Sequence, residues 1–201
     1  MRSFRSAPAG LIERIACDRL TNRVVNDKLG GMKKYISVLL LCLAGATPLA
    51  PAATPGEVGI GSTLRQAHMQ GLSGPSKNLT AFRGKPLLIN VWASWCGPCR
   101  QEMGSLERLS RRYGGKQFNV IGISTDDYRD RALAFLQQSN TTFSNFIDSK
   151  LFMENMLGAD RLPLTLLVDA QGKVLAKYYG AKQWDGPEAL KVISTTFRVG
   201  L

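Results

Sequence analysis

Histidine is nearly missing from this chain: His68 is the only one among 201 residues. Cysteine is scarce too, with four in all, and Cys17 and Cys42 fall in the N-terminal part. A structural zinc site takes about four Cys, His or carboxylate ligands. With only Cys96, Cys99 and His68 left downstream, a metal site is not expected, and His68 is read as a surface or strand residue. Acidic residues are outnumbered, 15 to 26 Lys/Arg, giving a net charge of +11. This excess is not a nucleic-acid signature. Residues 1–31 carry six Lys/Arg against three Asp/Glu, Lys33 and Lys34 follow, and residues 54–201 carry 18 against 12. The basic residues downstream are scattered, apart from Arg108, Arg111 and Arg112, which read as a solvated helix face. Internal repeats and low-complexity tracts are absent. With 44% hydrophobic and 20% charged residues, the chain fits one globular domain plus processing segments.

The processing grammar lies between Met32 and Ala53. Met32-Lys33-Lys34 is a positive segment feeding the apolar run Ile36 to Leu43, and small residues follow at Ala44-Gly45-Ala46 and Ala50-Pro51-Ala52. This is the pattern of a secretory signal peptide. Residues 1–31 have no sustained periodicity and are read as an over-extended reading frame, with Met32 the expected start. The rival reading for 32–53 is an uncleaved membrane anchor, although Ile36 to Ala53 is short of about 20 residues and is broken by Pro48 and Pro51. A lipid attachment at Cys42 fits less well, because the bulky Leu41 precedes it. Each reading places the domain outside the cytoplasm, in the periplasm or an equivalent compartment. Residues 54–62 read as a Pro/Gly/Thr-rich linker, and 63–201 as the folded domain.

Within that domain the decisive feature is Trp95-Cys96-Gly97-Pro98-Cys99, between an apolar β-branched run and a helix-like stretch. Two cysteines separated by two residues can close one small ring, and at a strand-to-helix junction they read as a redox dithiol. The Cys96 sulfur would sit at a helix N-terminus, where unpaired N–H groups and the macrodipole favour the thiolate, the attacking species in disulfide exchange. A purely structural bridge is the bland alternative, but closing so short a loop confers little stabilisation.

Pro86 to Ala93 reads as a strand buried on both faces. Arg100 to Tyr113 places Met103, Leu106, Leu109 and Tyr113 on one helical stripe and stops at Gly114-Gly115. Thr63 to Leu72 suggests a first strand, Leu79 to Lys85 a helical turn, Phe118 to Thr125 a second buried strand, and Ala132, Phe135 and Leu136 a helix after Asp126-Asp127. A short strand at Phe143 to Asp148, a helix at Leu151 to Leu157, a hairpin of Leu164 to Asp169 with Val174 to Tyr179, and a last helix burying Leu190, Ile193 and Phe197 complete the pattern. This is an α/β architecture with a mixed sheet.

The element order resembles the thioredoxin fold, a central mixed β-sheet flanked by helices. From about Leu79 to Phe197 the chain is similar to the TlpA-like family of extracytoplasmic thiol–disulfide oxidoreductases. The residues that carry this are the approach Gly84-Lys85-Pro86-Leu87-Leu88-Ile89-Asn90-Val91-Trp92-Ala93-Ser94-Trp95-Cys96, the acid Glu102, a helix–strand insert over Asp126 to Asp160, and Leu162-Pro163-Leu164-Thr165. The resemblance implies Cys96 as nucleophile and Cys99 as resolving thiol. Gly97 and Pro98 would permit the tight turn and a helix start without an unmet N–H. It implies Glu102 as the group exchanging the proton of Cys99, with a surface acid in the first turn as the plain alternative, and Pro163 as a cis-proline facing the dithiol. Trp95 would contact the partner protein or simply pack, and Asn90, where cytoplasmic thioredoxins have a buried aspartate, is read as structural. Leu164 departs from the Glu typical of the branch that serves haem attachment.

These readings together imply an enzyme that reduces disulfides of client proteins, and the resemblance alone implies apocytochromes or copper-delivery proteins among the clients. It would be recharged by a membrane thiol donor and need no cofactor or metal. The Gly97-Pro98 dipeptide resembles that of reducing thioredoxins. The alternatives are a disulfide-introducing oxidase of the same fold, a peroxidase, for which Ser94-Trp95-Cys96 is the wrong loop, and a non-enzymatic metal-binding or chaperone module.

Overall fold

The computed structural model describes residues 56–201. The expected leader or anchor, the extension before it, Cys17 and Cys42 lie outside the described residues. Among the described residues no helix is long and apolar enough to cross a membrane.

Strands β1 (His68–Gly71), β2 (Lys77–Asn78), β3 (Leu87–Trp92), β4 (Asn119–Ser124), β5 (Ser144–Ile147), β6 (Leu164–Val168) and β7 (Val174–Tyr179) form one mixed sheet in the order β2-β1-β5-β4-β3-β6-β7. Helices α1 (Gly97–Tyr113), α2 (Arg129–Gln138), α3 (Phe152–Leu157) and α4 (Pro187–Phe197) connect or close it. β3, β4 and β5 run parallel, while β6 and β1 pair antiparallel to β3 and β5. This is the thioredoxin-like arrangement, with α2, β5 and α3 forming the insert before the proline loop.

β3 shows why the centre is where it is. All six of its residues are buried, as expected for a strand covered on both faces. Its alternation sorts them: Leu88 and Trp92 join the cluster containing Met103, Leu106 and Leu109 of α1, while Leu87, Ile89 and Val91 join Ile121, Phe146 and Met153. By the same period of two, Asn90 points to the α1 face. Gly122, at the middle of β4, is small for a reason: a Cβ there would lie 1.9 Å from Asn145 Oδ1, which accepts from Trp92 Nε1 at 2.9 Å.

Three local expectations differ from the structure. The stretch from Thr63 to Leu72 is not one strand. Thr63 bridges to Lys173 and Leu64 N donates to Gly172 O, beside the β6–β7 turn, and the chain then crosses the sheet face to pair as β1 with β5. Residues 57–62, expected as linker, run against the sheet edge. Val58 is buried, its N–H donates to Met156 O, and Gly61 N and Val174 O are bonded. In α4, Ala189 is buried with Ile193 and Phe197, whereas Leu190 is only half-buried. The i, i+4, i+8 ridge meets the core, and Leu190 flanks it.

Candidate active site

The turn between β3 and α1 is built by short backbone contacts and one acid. Cys96 N donates to Ala93 O at 3.1 Å, and Cys96, in extended conformation, caps α1 with Pro98 in the first turn. The missing N–H of a proline is harmless at that position. Asp126, just after β4 and 1% exposed, accepts from Ser94 N at 2.9 Å, Ser94 Oγ at 2.6 Å and Ser124 Oγ at 2.8 Å. It thereby fixes the segment leading into the dithiol. Sequence reasoning missed this role; the only local sign was a carboxylate immediately after a buried strand.

Cys96 and Cys99 are bridged, with S–S 2.05 Å and Cα atoms 5.3 Å apart. Cys96 Sγ also accepts from the Cys99 N–H at 3.2 Å, the contact that would hold a thiolate at this helix end. Cys99 is fully buried and Cys96 retains slight exposure, 0% against 5%. Trp95, beside it, is 70% exposed, so it does not pack into the core. The Leu162–Pro163 bond is cis, and Pro163 O accepts from Gly180 N at 2.9 Å.

Glu102, one turn beyond Cys99, is 2% exposed and is not a surface acid. Its Oε1 accepts from Asn90 Nδ2 at 2.7 Å. Its Oε2 accepts from Lys182 N and Trp184 Nε1, each at 3.0 Å. Burial pushes this carboxyl above its ordinary value of 4.5, against the opposing pull of the Lys182 amide, Trp184, Asn90 and the Lys182 charge. A carboxyl displaced this way holds a proton more tightly than an exposed one, which suits it to proton exchange. Ser105, on the same helix, holds the far loop in place: its Oγ donates to Glu102 O at 2.7 Å and accepts from Trp184 N at 3.0 Å. Lys182 and Trp184 carried no local sequence signal, because their role depends on where that loop docks. His68 is exposed on β1, outside this cluster. Among the described residues no group of three or more His, Cys, Asp or Glu is placed to hold a metal.

The chain is similar to known proteins in sequence and fold. The family model for Redoxin matches residues 49–193. The chain is 31% identical over 144 residues to the thiol-disulfide oxidoreductase ResA of Geobacillus thermodenitrificans, covering 71% of this chain and 83% of that protein. It is 32% identical over 124 residues to the thiol:disulfide interchange protein DsbE of Vibrio cholerae, covering 60% and 65%. Among solved structures, a DsbE-type thiol:disulfide interchange protein from Chlorobium tepidum superposes with a TM-score of 0.64 at 27% identity, covering 70% of this chain and 99% of that one.

Proposed function

The chain belongs to the Redoxin family and is a thiol–disulfide oxidoreductase of the ResA/DsbE type; from that premise we propose that it works in the reducing direction, outside the cytoplasm. Reduced Cys96 attacks a client disulfide as the thiolate, giving a Cys96–client mixed disulfide and one client thiol. Cys99 then loses its proton to Glu102 and attacks Cys96 Sγ. The second client thiol leaves, and two electrons have moved from the dithiol to the client, leaving the Cys96–Cys99 bridge. A membrane thiol donor reopens that bridge. Residues 32–53 export or tether the domain that follows. Trp95 and the Pro163 loop flank the client, with Gly97 and Pro98 shaping the turn. The clients are disulfide-bearing proteins of that compartment, apocytochromes or copper-delivery proteins among them by resemblance.

The observation that carries this reading is the stacking of functions along the start of α1. A sulfur at the helix N-terminus accepts an N–H, its partner sulfur is buried behind it, and a buried carboxyl with a raised affinity for protons follows one turn on. The Gly97-Pro98 dipeptide favours the reducing direction by its resemblance to reducing thioredoxins. The test is the reduction potential of the Cys96–Cys99 pair, equilibrated against a defined thiol/disulfide buffer. A value below about −220 mV supports client reduction, and one near about −120 mV overturns it in favour of an oxidase.

A further inference from the structure

We propose that Asn90 is a positioning residue for the Glu102 proton: its carboxamide turns over as Glu102 changes protonation state, donating to the carboxylate and accepting from the carboxyl. This inference rests on the reading of Glu102 as the group that exchanges a proton with Cys99.

The starting observation is an unpaired atom. Asn90 is fully buried on β3, and its Oδ1 has no hydrogen-bond partner among the described residues. Buried polar atoms are nearly always paired, so this one calls for a physical reason. Both hydrogens of Nδ2 are used, one on Glu102 Oε1 at 2.7 Å and one on Thr165 Oγ1 at 3.0 Å. That set suits an ionised Glu102, which can only accept.

Protonation changes what the site requires. Oε2 of Glu102 is occupied by the Lys182 backbone N–H and the Trp184 indole N–H. Both are obligate donors, so neither can accept from a proton on that oxygen. The proton therefore resides on Oε1, facing Asn90, where the present amide orientation opposes a donor to a donor. A half-turn of the amide puts Oδ1 in the place of Nδ2. It then accepts from the Glu102 carboxyl and from the Thr165 hydroxyl, which donates as readily as it accepts. Each orientation leaves part of the amide unpaired, the oxygen in one and the N–H pair in the other. Neither is therefore locked, and the proton selects between them. A leucine of similar size could serve neither state.

The electrostatic surroundings leave this choice to Glu102. Lys182 acts on it from the loop before α4, while Asn90 and Thr165 from the sheet and Trp184 from that loop are neutral. Cys99, on the same helix, becomes a titratable neighbour only when the bridge is open.

The experiment follows the Asn90 side-chain amide signals by 1H–15N NMR in the full, bridged chain while Glu102 is titrated and its carboxyl carbon monitored. Both should move with one midpoint, and in E102Q the amide signals should no longer respond to pH. The N90L variant should slow the resolving step about 10- to 100-fold, the scale of a lost charge-assisted hydrogen bond, and displace the midpoint of its pH profile. Asn90 signals that stay fixed through the titration overturn the proposal, even if N90L is slow or unstable. The underlying reading fails separately, if E102Q leaves the pH profile of the resolving step unchanged.

Discussion

Helix α1 carries two buried glutamates, Glu102 and Glu107, 2% and 7% exposed, and their surroundings differ in kind. Burial raises both carboxyls toward the neutral form. At Glu107 that pressure is outweighed: Thr142 donates its hydroxyl at 2.6 Å and its N–H at 2.7 Å, and Arg111 Nε lies 2.5 Å away, so this carboxyl falls below its ordinary value. At Glu102 the donors come from Asn90, the Lys182 amide and Trp184, and burial prevails. A buried carboxylate is thus not itself a sign of chemistry. The sum of its partners decides whether it ties elements together, as Glu107 ties α1 to the α2–β5 loop, or remains free to take a proton.

The sharpest way to break this comparison is to neutralise each acid in turn. E102Q should slow resolution of a Cys96–client mixed disulfide about 100-fold, the lower end of what a positioned proton acceptor contributes, while E107Q should leave that rate unchanged. Stopped-flow reduction of a protein disulfide under single-turnover conditions reads both. Equal losses would show that Glu102 is no more catalytic than Glu107.

Stability should move the other way. E107A strands the Thr142 donors and Arg111, at a cost of about 1–2 kcal/mol, seen as a lower urea midpoint. The pH dependence separates the pair further. Glu102 holds its proton more tightly folded than unfolded, so its contribution is most favourable below about 4.5 and declines as pH rises through the window up to its raised folded value. Glu107 has the opposite sign, with a contribution present above about 4.5 and lost as pH falls through its lowered folded value. Urea midpoints in mildly acid and neutral buffer should therefore show E102Q gaining on the parent protein toward neutral pH and E107Q losing. Parallel profiles for the two variants would contradict the assignment.

The same contrast marks where the sequence was legible. The β3 run, the Met103-Leu106-Leu109-Tyr113 stripe and the cysteine pair are local patterns of period and spacing, and the structure has them as read. Glu102 was visible as a candidate only because it sits three residues after Cys99. Whether it was a surface acid or a buried one depended on Lys182 and Trp184, which are 80 and 82 residues away. Glu107 gave no signal at all: a lone Glu four before an Arg looks like an ordinary exposed helix pair. Thr63 to Leu72 misled for a related reason, since its apolar residues are set by the face it crosses rather than by one continuous ladder.

The smallest expected effect isolates what the ion pair adds at Glu107. Arg111 is largely exposed, 63% at its side chain, so its attraction to the carboxylate is screened and its stem gives up conformational freedom to hold the geometry. Thr142 supplies two uncharged donors, whose strength depends little on ionic strength. R111A should therefore cost only about 0.3–0.5 kcal/mol, as i,i+4 pairs do, and the loss should shrink in high salt. T142A removes the hydroxyl donor and should cost more, with little salt dependence. If R111A proves the larger loss, Glu107 is held by charge rather than by hydrogen bonds, and its contrast with Glu102 reduces to the presence of one arginine.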